Sequence, residues 1–537
     1  MPIRRLVATA ASVLAACIFL SWELAHRGVY AYAQSIYHVD DADEWRYTAC
    51  SRLVEHGHAL FTEVFSAQPP LLFASLSTGM RIFGDSIAGA RWIEIGFGLV
   101  SLIGAAWIAS LLAGPFAGAT AALLLSVSPG FLVYSHAVEA EGPMMALVTL
   151  SLALALTYAK TGWRALPGLA GLSIAAAILM KLFAAEALLP GIWLVTAYRT
   201  EIRGRRVQAL YTYLIGAAGP VCADFAFLHP SQQWDQVITL HERAAQAHLP
   251  DLTPPAKILD QFLTLDLGLT LLAAAGILAL VSIRRWKDAG FLASWVLGSL
   301  LMLYLFRPLF PHHAVILLTG LAVSAGTGAG LLAAQMRWTR ATERRSRFPG
   351  LRGVVMRWHE AIVDGRPGGH PCSAGPQSTA PARGRAAPTG LMSITTAVGG
   401  LVVAIATVGY LALIPRLAHD DRHVLVAYNR PAVRSLSDFV RRHSAPTDFV
   451  ALDDLAVADM AHRLVPPPLC DPSNVRLKAG YLTAQDLIDS VLRYHAKLVL
   501  PSAGIYQQVG PFIAWLDQHG HRRPAPDGKL AYFLTAR

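Results

Sequence analysis

Residues 40–47 read Asp-Asp-Ala-Asp-Glu-Trp-Arg-Tyr and lie just beyond the first hydrophobic segment of the chain. Further along, residues 68–72 read Gln-Pro-Pro-Leu-Leu and begin another apolar stretch. Trp45 is the kind of residue that lies at the membrane–water interface, and the acids beside it would face the aqueous side. This arrangement indicates chemistry at a membrane surface and favours an integral membrane enzyme over a simple pore.

The composition is typical of a membrane protein with several spans. Of 537 residues, 54% are hydrophobic and only 15% are charged. Segments long enough to cross about 30 Å of hydrocarbon recur along the chain. The predicted transmembrane helices, about eleven in number, lie at 6–24, 86–111, 116–134, 143–159, 165–181, 183–198, 209–228, 267–283, 289–306, 313–335 and 391–414. The first is long for a signal peptide and lacks a small-residue cleavage site, so we expect it to be retained.

Basic residues cluster in loops that share one side of the predicted membrane. Arg4 and Arg5 place the N-terminus in the cytoplasm, and the loops at 160–164, 199–206, 284–287 and 336–390 fall on the same side. An odd number of spans then places the C-terminal region outside. The net charge of +10 is therefore mainly an orientation signal, and we expect no nucleic-acid partner. The predicted location is the cytoplasmic (inner or plasma) membrane, crossed several times.

Four regions follow from the pattern. Residues 1–335 form a helical membrane body, 336–390 a basic Pro/Gly-rich cytoplasmic loop, and 391–414 the last transmembrane helix. In residues 415–537, helical patterns at 431–442, 483–494 and 512–519 alternate with short apolar strands at 448–452, 496–500 and 530–535. This alternation predicts a small soluble α/β domain. The expected fold class is thus an all-α polytopic membrane protein with a C-terminal α/β domain.

The five cysteines do not form a disulfide framework. Cys17 and Cys222 lie in predicted spans and Cys372 lies in the cytoplasmic loop. Only Cys50 and Cys470 are predicted to be outside, where a disulfide between them is possible.

Acidic residues of two predicted outer loops are candidates for catalysis. Asp43 or Glu44 could act as a general base on an acceptor hydroxyl, or hold the acceptor. The alternative is a capping box, Asp41-x-x-Glu44, at a helix start. Glu139 and Glu141 follow the third predicted span on the same face. Glu141 could orient a substrate or bind a metal, and the alternative is again a helix-start acid.

Cations and imidazoles lie on the same predicted side. A charge at the depth of Lys181 is costly in a membrane and suggests a phosphate partner, whereas snorkelling to the interface is the alternative. Arg307, His312 and His313 lie between two late spans and could contact a lipid phosphate, or form a Pro-rich turn. The sequence contains no Walker loop, nucleophile elbow or ordered Cys/His set, which leaves an ATP-driven pump or a serine hydrolase without support.

Several motifs in order resemble the membrane glycosyltransferases of the C-type fold, in the branch of protein O-mannosyltransferases and lipid A aminoarabinose transferases. The resemblance covers about residues 1–335. It rests on Asp43-Glu-Trp-Arg-Tyr47, Gln68-Pro-Pro-Leu71, Phe83-Gly84 with Ala90-Arg91, Glu141-Gly-Pro143, Leu179-Met-Lys181 and Arg307 to His313. One departure is Gln68, which stands where relatives often have Lys before Pro-Pro.

The resemblance implies an inverting transfer, on the outer membrane face, of a hexosyl or pentosyl group from a polyprenyl-phosphate sugar. The acceptor would be a lipid, a glycan or a protein. Asp43, with Glu44 beside it, would be the base or acceptor-orienting acid, and Glu141 a second acid of the cavity. The predicted substrate-binding residues are Arg46, Tyr47, Gln68, Glu139, Lys181, Arg307, His312 and His313. No cofactor is certain, and a divalent cation is compatible with the acids.

Two other functions compete with this one. A transporter or flippase of lipid-linked sugars would place key charges in mid-span and often carries inverted repeats, whereas the acids here lie in predicted outer loops. A non-catalytic scaffold of envelope assembly would use the C-terminal domain as a binding module.

Overall fold

The computed structural model describes residues 2–31, 43–198, 203–247, 253–346, 431–526 and 528–534. The part up to residue 346 is built of helices. Their bounds are Pro2–Ala31 (α1), Asp43–Glu55 (α2), Pro70–Phe83 (α3), Ile87–Ala113 (α4), Pro115–Ser126 (α5), Pro129–Tyr134 (α6), Glu141–Thr161 (α7), Leu166–Met180 (α8), Leu188–Ala197 (α9), Arg203–Phe227 (α10), Pro230–Trp234 (α11), Leu240–Gln246 (α12), Pro255–Leu265 (α13), Leu267–Ser282 (α14), Trp286–Leu305 (α15) and Leu317–Ser346 (α16). Short 3₁₀ turns at Leu182–Ala187 and Pro311–Ile316 precede α9 and α16.

Proline and glycine set many of these boundaries. Pro70 occupies the first turn of α3, where its missing N–H costs no helical hydrogen bond, and Gly84 ends that helix at φ 109°. Gly162 ends α7 in the left-handed conformation at φ 76°. These positions explain why the helices begin and end where they do.

Five helical segments of the described chain are long and apolar enough to cross a membrane, at Ile87–Ala113, Glu141–Thr161, Gly204–Phe227, Trp286–Leu305 and Pro311–Met336. The pair α13 and α14, bent by 88°, would make a sixth. Many large apolar side chains on the spans are exposed, among them Ile215, Leu278 and Leu301, as expected for a lipid-facing surface. The prediction of a polytopic helical membrane protein is confirmed. The full set of eleven is not reached within the described residues, and the predicted helix 391–414 and most of the loop 336–390 lie outside them.

One predicted span is interrupted, and the boundary predicted between the spans 165–181 and 183–198 is a break in the helix. The segment predicted as one span at 116–134 forms α5 and α6, because Pro129 begins a new helix. Between α8 and α9, Lys181 has an extended backbone with φ −155° and ψ 132°, and a 3₁₀ turn follows it. This break matters because it turns the Lys181 side chain away from a continuous helical surface.

Small residues allow α16 to approach its neighbours closely. A Cβ atom at Gly276 of α14 would lie 2.1 Å from the Ser324 carbonyl oxygen of α16. On another side, a Cβ at Gly326 would lie 2.6 Å from the Ala117 carbonyl oxygen of α5. Such close packing of small residues substitutes for the hydrophobic drive that lipid does not provide.

The C-terminal region contains a four-stranded sheet of order β1-β2-β4-β3. The strands are Val450–Leu452 (β1), Leu498–Leu500 (β2), Gly520–Pro524 (β3) and Leu530–Leu534 (β4), and the helices of at least five residues are Pro431–His443 (α17), Leu455–Ala461 (α18), Asn474–Lys478 (α19), Ala484–Arg493 (α20) and Gly510–His519 (α21). Strands β1 and β2 are parallel, whereas β4 is antiparallel to β2 and β3. The three predicted strands are present. β3 was not predicted because its sequence is polar, and its side chains are mostly exposed.

A disulfide joins this region to the membrane body. Cys50 of α2 is bonded to Cys470, which lies just before α19. Beside it, Arg52 Nη2 lies 2.5 Å from Asp459 of α18, and its Nε lies 2.6 Å from Asp85. On the other side of the contact, the Tyr481 hydroxyl donates to Asp235 at 2.7 Å. The sheet region is therefore fixed to the ends of the membrane helices at several points.

Candidate functional site

A cavity of about 870 Å³ lies between the membrane body and the C-terminal region. Its polar lining comprises Asp43, Arg46, Tyr47, Gln68, Lys181, Glu186, His241, Glu242, His312, His313, Asp471, Ser473 and Asn474. One part of the wall is apolar, with Leu182, Phe183, Val237, Ile238, Leu240, Met302, Phe306 and Phe310. The size and the mixed lining suit an amphiphilic ligand with a polar head.

The first turn of α2 supplies an acid and a cation to this cavity. Asp43 stands at the helix start, where the helix dipole favours a carboxylate. Arg46, three residues later on the same face, places Nη1 2.5 Å from Asp43 Oδ1. The Nε of Arg46 lies 3.5 Å from Asp471 Oδ1 of the C-terminal region. Arg46 thus lies between two carboxylates at the cavity wall.

Tyr47 and Gln68 form a polar contact next to this turn. The side-chain amide of Gln68 donates to the Tyr47 hydroxyl oxygen at 3.1 Å. Burial, with added repulsion from the negative charges of Asp43 and Glu139, raises the pKa of Tyr47 well above its usual value. Its phenol therefore stays protonated at neutral pH.

A buried acid–cation pair lies at another part of the wall. Lys181 Nζ donates to Glu141 Oε1 at 2.5 Å, and both side chains are buried. The break after α8 puts Lys181 at the cavity, and the Phe183 ring lies below its ammonium, 5.0 Å from Nζ to the ring centroid. Glu141 opens α7 and lies behind the lysine.

Two histidines of the 3₁₀ turn Pro311–Ile316 connect the two charged sites. His312 Nε2 lies 3.8 Å from Asp43 Oδ2 and 3.9 Å from Glu141 Oε1. His313 Nε2 lies 3.7 Å from the same Glu141 oxygen, while its Nδ1 accepts from the Phe310 N–H at 3.2 Å. The acids of two distant loops therefore converge on one imidazole pair.

Two sets of these side chains have ligand atoms close enough together to hold a metal ion. One is Glu141 with His312 and His313, and the other is Asp43 with Glu139 and His312. Carboxylate and imidazole suit Mn²⁺ or Zn²⁺. In the first set, however, the Lys181 ammonium already lies 2.5 Å from the Glu141 oxygen, and its positive charge disfavours a second cation there.

Four predicted site residues are not part of the cavity lining, namely Glu44, Glu139, Glu141 and Arg307. Glu44 is buried and accepts from Arg91 of α4 through both carboxylate oxygens, at 2.7 Å each. Glu139 is buried behind Asp43 and His312. Arg307 is exposed and donates to the carbonyl oxygens of Tyr304 and Phe306. Glu141 lies directly behind Lys181, and the remaining seven line the cavity. Asp41 of the predicted capping box lies outside the described residues.

Several cavity residues were not predicted as site residues. Glu186 accepts from Ser299 at 2.9 Å. His241 of α12 lies in the polar segment 229–266, and burial lowers its pKa, which keeps the ring neutral. Asp471, Ser473 and Asn474 come from the C-terminal region. The length and polarity of loop 229–266 were a signal for His241, whereas only the Cys50–Cys470 pairing could have indicated Asp471.

The chain is similar to known proteins in one segment of its sequence and in its fold. Residues 67–223 match the family model described as dolichyl-phosphate-mannose-protein mannosyltransferase. The crystal structure of ArnT from Cupriavidus metallidurans bound to undecaprenyl phosphate superposes with a TM-score of 0.62 at 14% identity, over 96% of this chain and 98% of that one. The chain has the C-type glycosyltransferase fold. The apo structure of the same ArnT gives a TM-score of 0.60 at 14% identity, covering 98% of each chain. No curated protein sequence matches. The resemblance predicted from the motifs is therefore confirmed. The structural similarity to ArnT covers 96% of this chain and so includes the C-terminal region.

Proposed function

We propose that this protein is a membrane glycosyltransferase that moves one hexosyl or pentosyl group from a polyprenyl-phosphate donor to a lipid, glycan or protein acceptor. The observation that carries the proposal is the convergence of Asp43, Arg46, Lys181 and the His312–His313 pair on one cavity with an apolar wall. The apolar wall suits a polyprenyl chain, and the cations suit the phosphate that links chain and sugar. The name of the matched family and the lipid phosphate bound to ArnT support this donor class.

In the proposed reaction, Asp43 accepts the proton of an acceptor hydroxyl. That oxygen attacks the anomeric carbon of the sugar from the face opposite the phosphate. The bond between the anomeric carbon and the phosphate oxygen breaks, its electron pair stays on the phosphate, and the configuration inverts. Lys181 and Arg46 stabilise the charge that grows on the departing lipid phosphate. Glu141 holds Lys181 in place. If a divalent cation binds, Asp43, Glu139 and His312 are the residues that would hold it, and it would supply further positive charge to the site.

Residues 1–335 would form the catalytic body and 391–414 the last transmembrane helix, with 336–390 in the cytoplasm. The region 415–537, and with it the cavity, would lie on the outer face of the cytoplasmic membrane. A disulfide between Cys50 and Cys470 supports this orientation, because such bonds persist in oxidising compartments. The basic loops on the opposite side support it independently.

The test is sugar transfer by the purified full-length protein in detergent. Radiolabelled polyprenyl-phosphate sugars would be supplied as a panel, with total membrane extract as acceptor. We expect transfer with at least one donor, and about a 10²–10⁴-fold loss in Asp43→Asn because the general base is removed. Asp85→Asn is the matched control: this acid, just before α4, is partly exposed, pairs with Arg52 and does not line the cavity.

Folded wild-type protein that turns over no donor would contradict the proposal and favour a flippase or a scaffold. Label that crosses the membrane of a reconstituted vesicle without leaving its lipid would identify the flippase. Equal losses in Asp43→Asn and Asp85→Asn would remove Asp43 from the reaction.

A further inference from the structure

The part of the C-terminal region that reaches the cavity is docked on one face of α2. Arg46 and Cys50 are four residues apart and therefore lie one helical turn from each other on the same face. Cys470 is bonded to Cys50, and the next residue, Asp471, faces Arg46. Two consecutive residues of the C-terminal region thus contact two consecutive turns of the helix that begins with Asp43.

Arg46 is held from both sides by this arrangement. Its Nη1 is 2.5 Å from Asp43 and its Nε is 3.5 Å from Asp471. The Asp43, Arg46 and Asp471 side chains are largely shielded from solvent, with exposed fractions of 20%, 20% and 14%, so screening of the pair by water and salt is reduced. Asp471 therefore adds a second carboxylate to the one that Arg46 meets at Asp43, and its loss would weaken the hold on the guanidinium.

The residues that follow also face the cavity. Ser473 and Asn474 line it together with Asp471. The Asn474 side-chain oxygen accepts a hydrogen bond from Gln508 at 3.0 Å. The NH₂ group of Asn474 takes no part in that hydrogen bond. A hydroxyl, an amide and a carboxylate at one edge of a cavity are groups that recognise sugar hydroxyls.

We propose that segment 470–475 is part of the transfer site, with Asp471 as a positioning residue that holds Arg46 beside Asp43, and with the Cys50–Cys470 disulfide fixing the segment on α2. This inference rests on the proposed function. It means that the C-terminal region is a wall of the site and not only a stabilising cover, and that the oxidised protein is the active form.

The experiment compares Asp471→Asn with Asp459→Asn in full-length, oxidised protein. Both substitutions remove an acid that binds an arginine of α2 across the same contact, but the Arg52–Asp459 pair does not line the cavity. We expect Asp471→Asn to lower kcat about tenfold, with a smaller change in donor KM, because Arg46 acts on charge that grows in the transition state. Asp459→Asn should change kcat less than twofold, since Asp85 still holds Arg52.

Two further variants separate positioning from folding. Asp471→Glu keeps the charge and should recover most of the lost kcat. In an Arg46→Ala background, Asp471→Asn should have little further effect, because the residue through which it acts is gone. Cys470→Ser should lower kcat in the same direction as Asp471→Asn.

Equal losses in Asp471→Asn and Asp459→Asn, or full additivity with Arg46→Ala, would overturn the inference and leave the segment as an anchor. Wild-type kcat in folded Asp471→Asn would overturn it as well. Absence of transfer by wild type would instead count against the proposed function, so the two failures are distinguishable.

Discussion

The membrane body contains two buried acid–cation pairs, Glu44–Arg91 and Glu141–Lys181, and only the second contacts the cavity. The Glu44 carboxylate accepts two hydrogen bonds from Arg91 and a third from the Val138 N–H at 3.2 Å. At Glu141, Oε1 accepts from Lys181, whereas Oε2 has no hydrogen-bond partner among the described residues. Both oxygens of Glu44 accept hydrogen bonds inside the protein, away from the cavity. The Glu141–Lys181 pair lies at the cavity, and one Glu141 oxygen accepts no hydrogen bond from the described residues.

The difference shows which buried charges are available for chemistry. A planar guanidinium that binds both oxygens of a carboxylate leaves few positions for a ligand. A lysine forms a single-point contact and can rotate to a second anion. The Glu44–Arg91 pair therefore fixes α2 against α4, while Glu141 presents Lys181 to whatever enters the cavity.

Between the two pairs, the larger effect on activity is expected at Lys181. Replacement by Met removes the proposed phosphate cation, and we expect kcat to fall about 10²–10³-fold, as when a charge-stabilising donor is removed from a transition state. Transfer assays of the detergent-purified protein measure this loss.

The matched control is the double variant Lys181→Met with Glu141→Gln. It removes the uncompensated buried carboxylate and should recover thermal stability without recovering activity. Recovery of activity together with stability would mean that Lys181 serves only to neutralise Glu141.

The second effect concerns stability at the sealed pair. Glu44→Gln leaves the buried Arg91 charge without its carboxylate, which typically costs about 3–5 kcal/mol. We expect a clear fall in the unfolding midpoint, measured by size-exclusion fluorescence after heating. The kcat of the protein that remains folded should change by less than a few-fold.

Combining Glu44→Gln with Arg91→Met should restore part of the midpoint, because the unpaired charge is gone. If folded Glu44→Gln lost as much kcat as Asp43→Asn, the purely structural role given to Glu44 would be wrong. Glu44 would then be a candidate catalytic residue.

The sequence was sufficient for the helical membrane fold and for part of the cavity lining. Hydrophobic segments, basic loops and ordered motifs indicated a polytopic C-type fold, and the alternation after residue 430 indicated an α/β region. The motif residues at positions 43, 46, 47, 68 and 181 do line the cavity.

Sequence alone could not separate Asp43 from Glu44. Consecutive residues of a helix point about 100° apart, so one faces the cavity and the other faces α4, and only the position of Arg91 decides which is closed. Arg307 was predicted to bind the substrate, but its guanidinium donates to carbonyl oxygens of its own turn. Such local contacts are also not visible in the sequence. Asp471 lies more than 400 residues from Arg46 in the sequence, and no local sequence pattern indicates that the two are in contact.

The smallest expected effect is at Gln68, the residue before Pro69-Pro70. Its amide donates to the neutral Tyr47 hydroxyl at 3.1 Å, so Gln68→Leu removes one neutral hydrogen bond worth about 1 kcal/mol. We expect kcat to fall by at most about fivefold, the equivalent of that energy, with a small decrease in the unfolding midpoint. Tyr47→Phe removes the same hydrogen bond from the other side and should behave alike, and the double variant should cost little more than either single one. A 100-fold loss of kcat in Gln68→Leu that Tyr47→Phe does not share would show that the amide binds the substrate directly. Gln68 would then be a substrate-binding residue of the cavity, like Lys181.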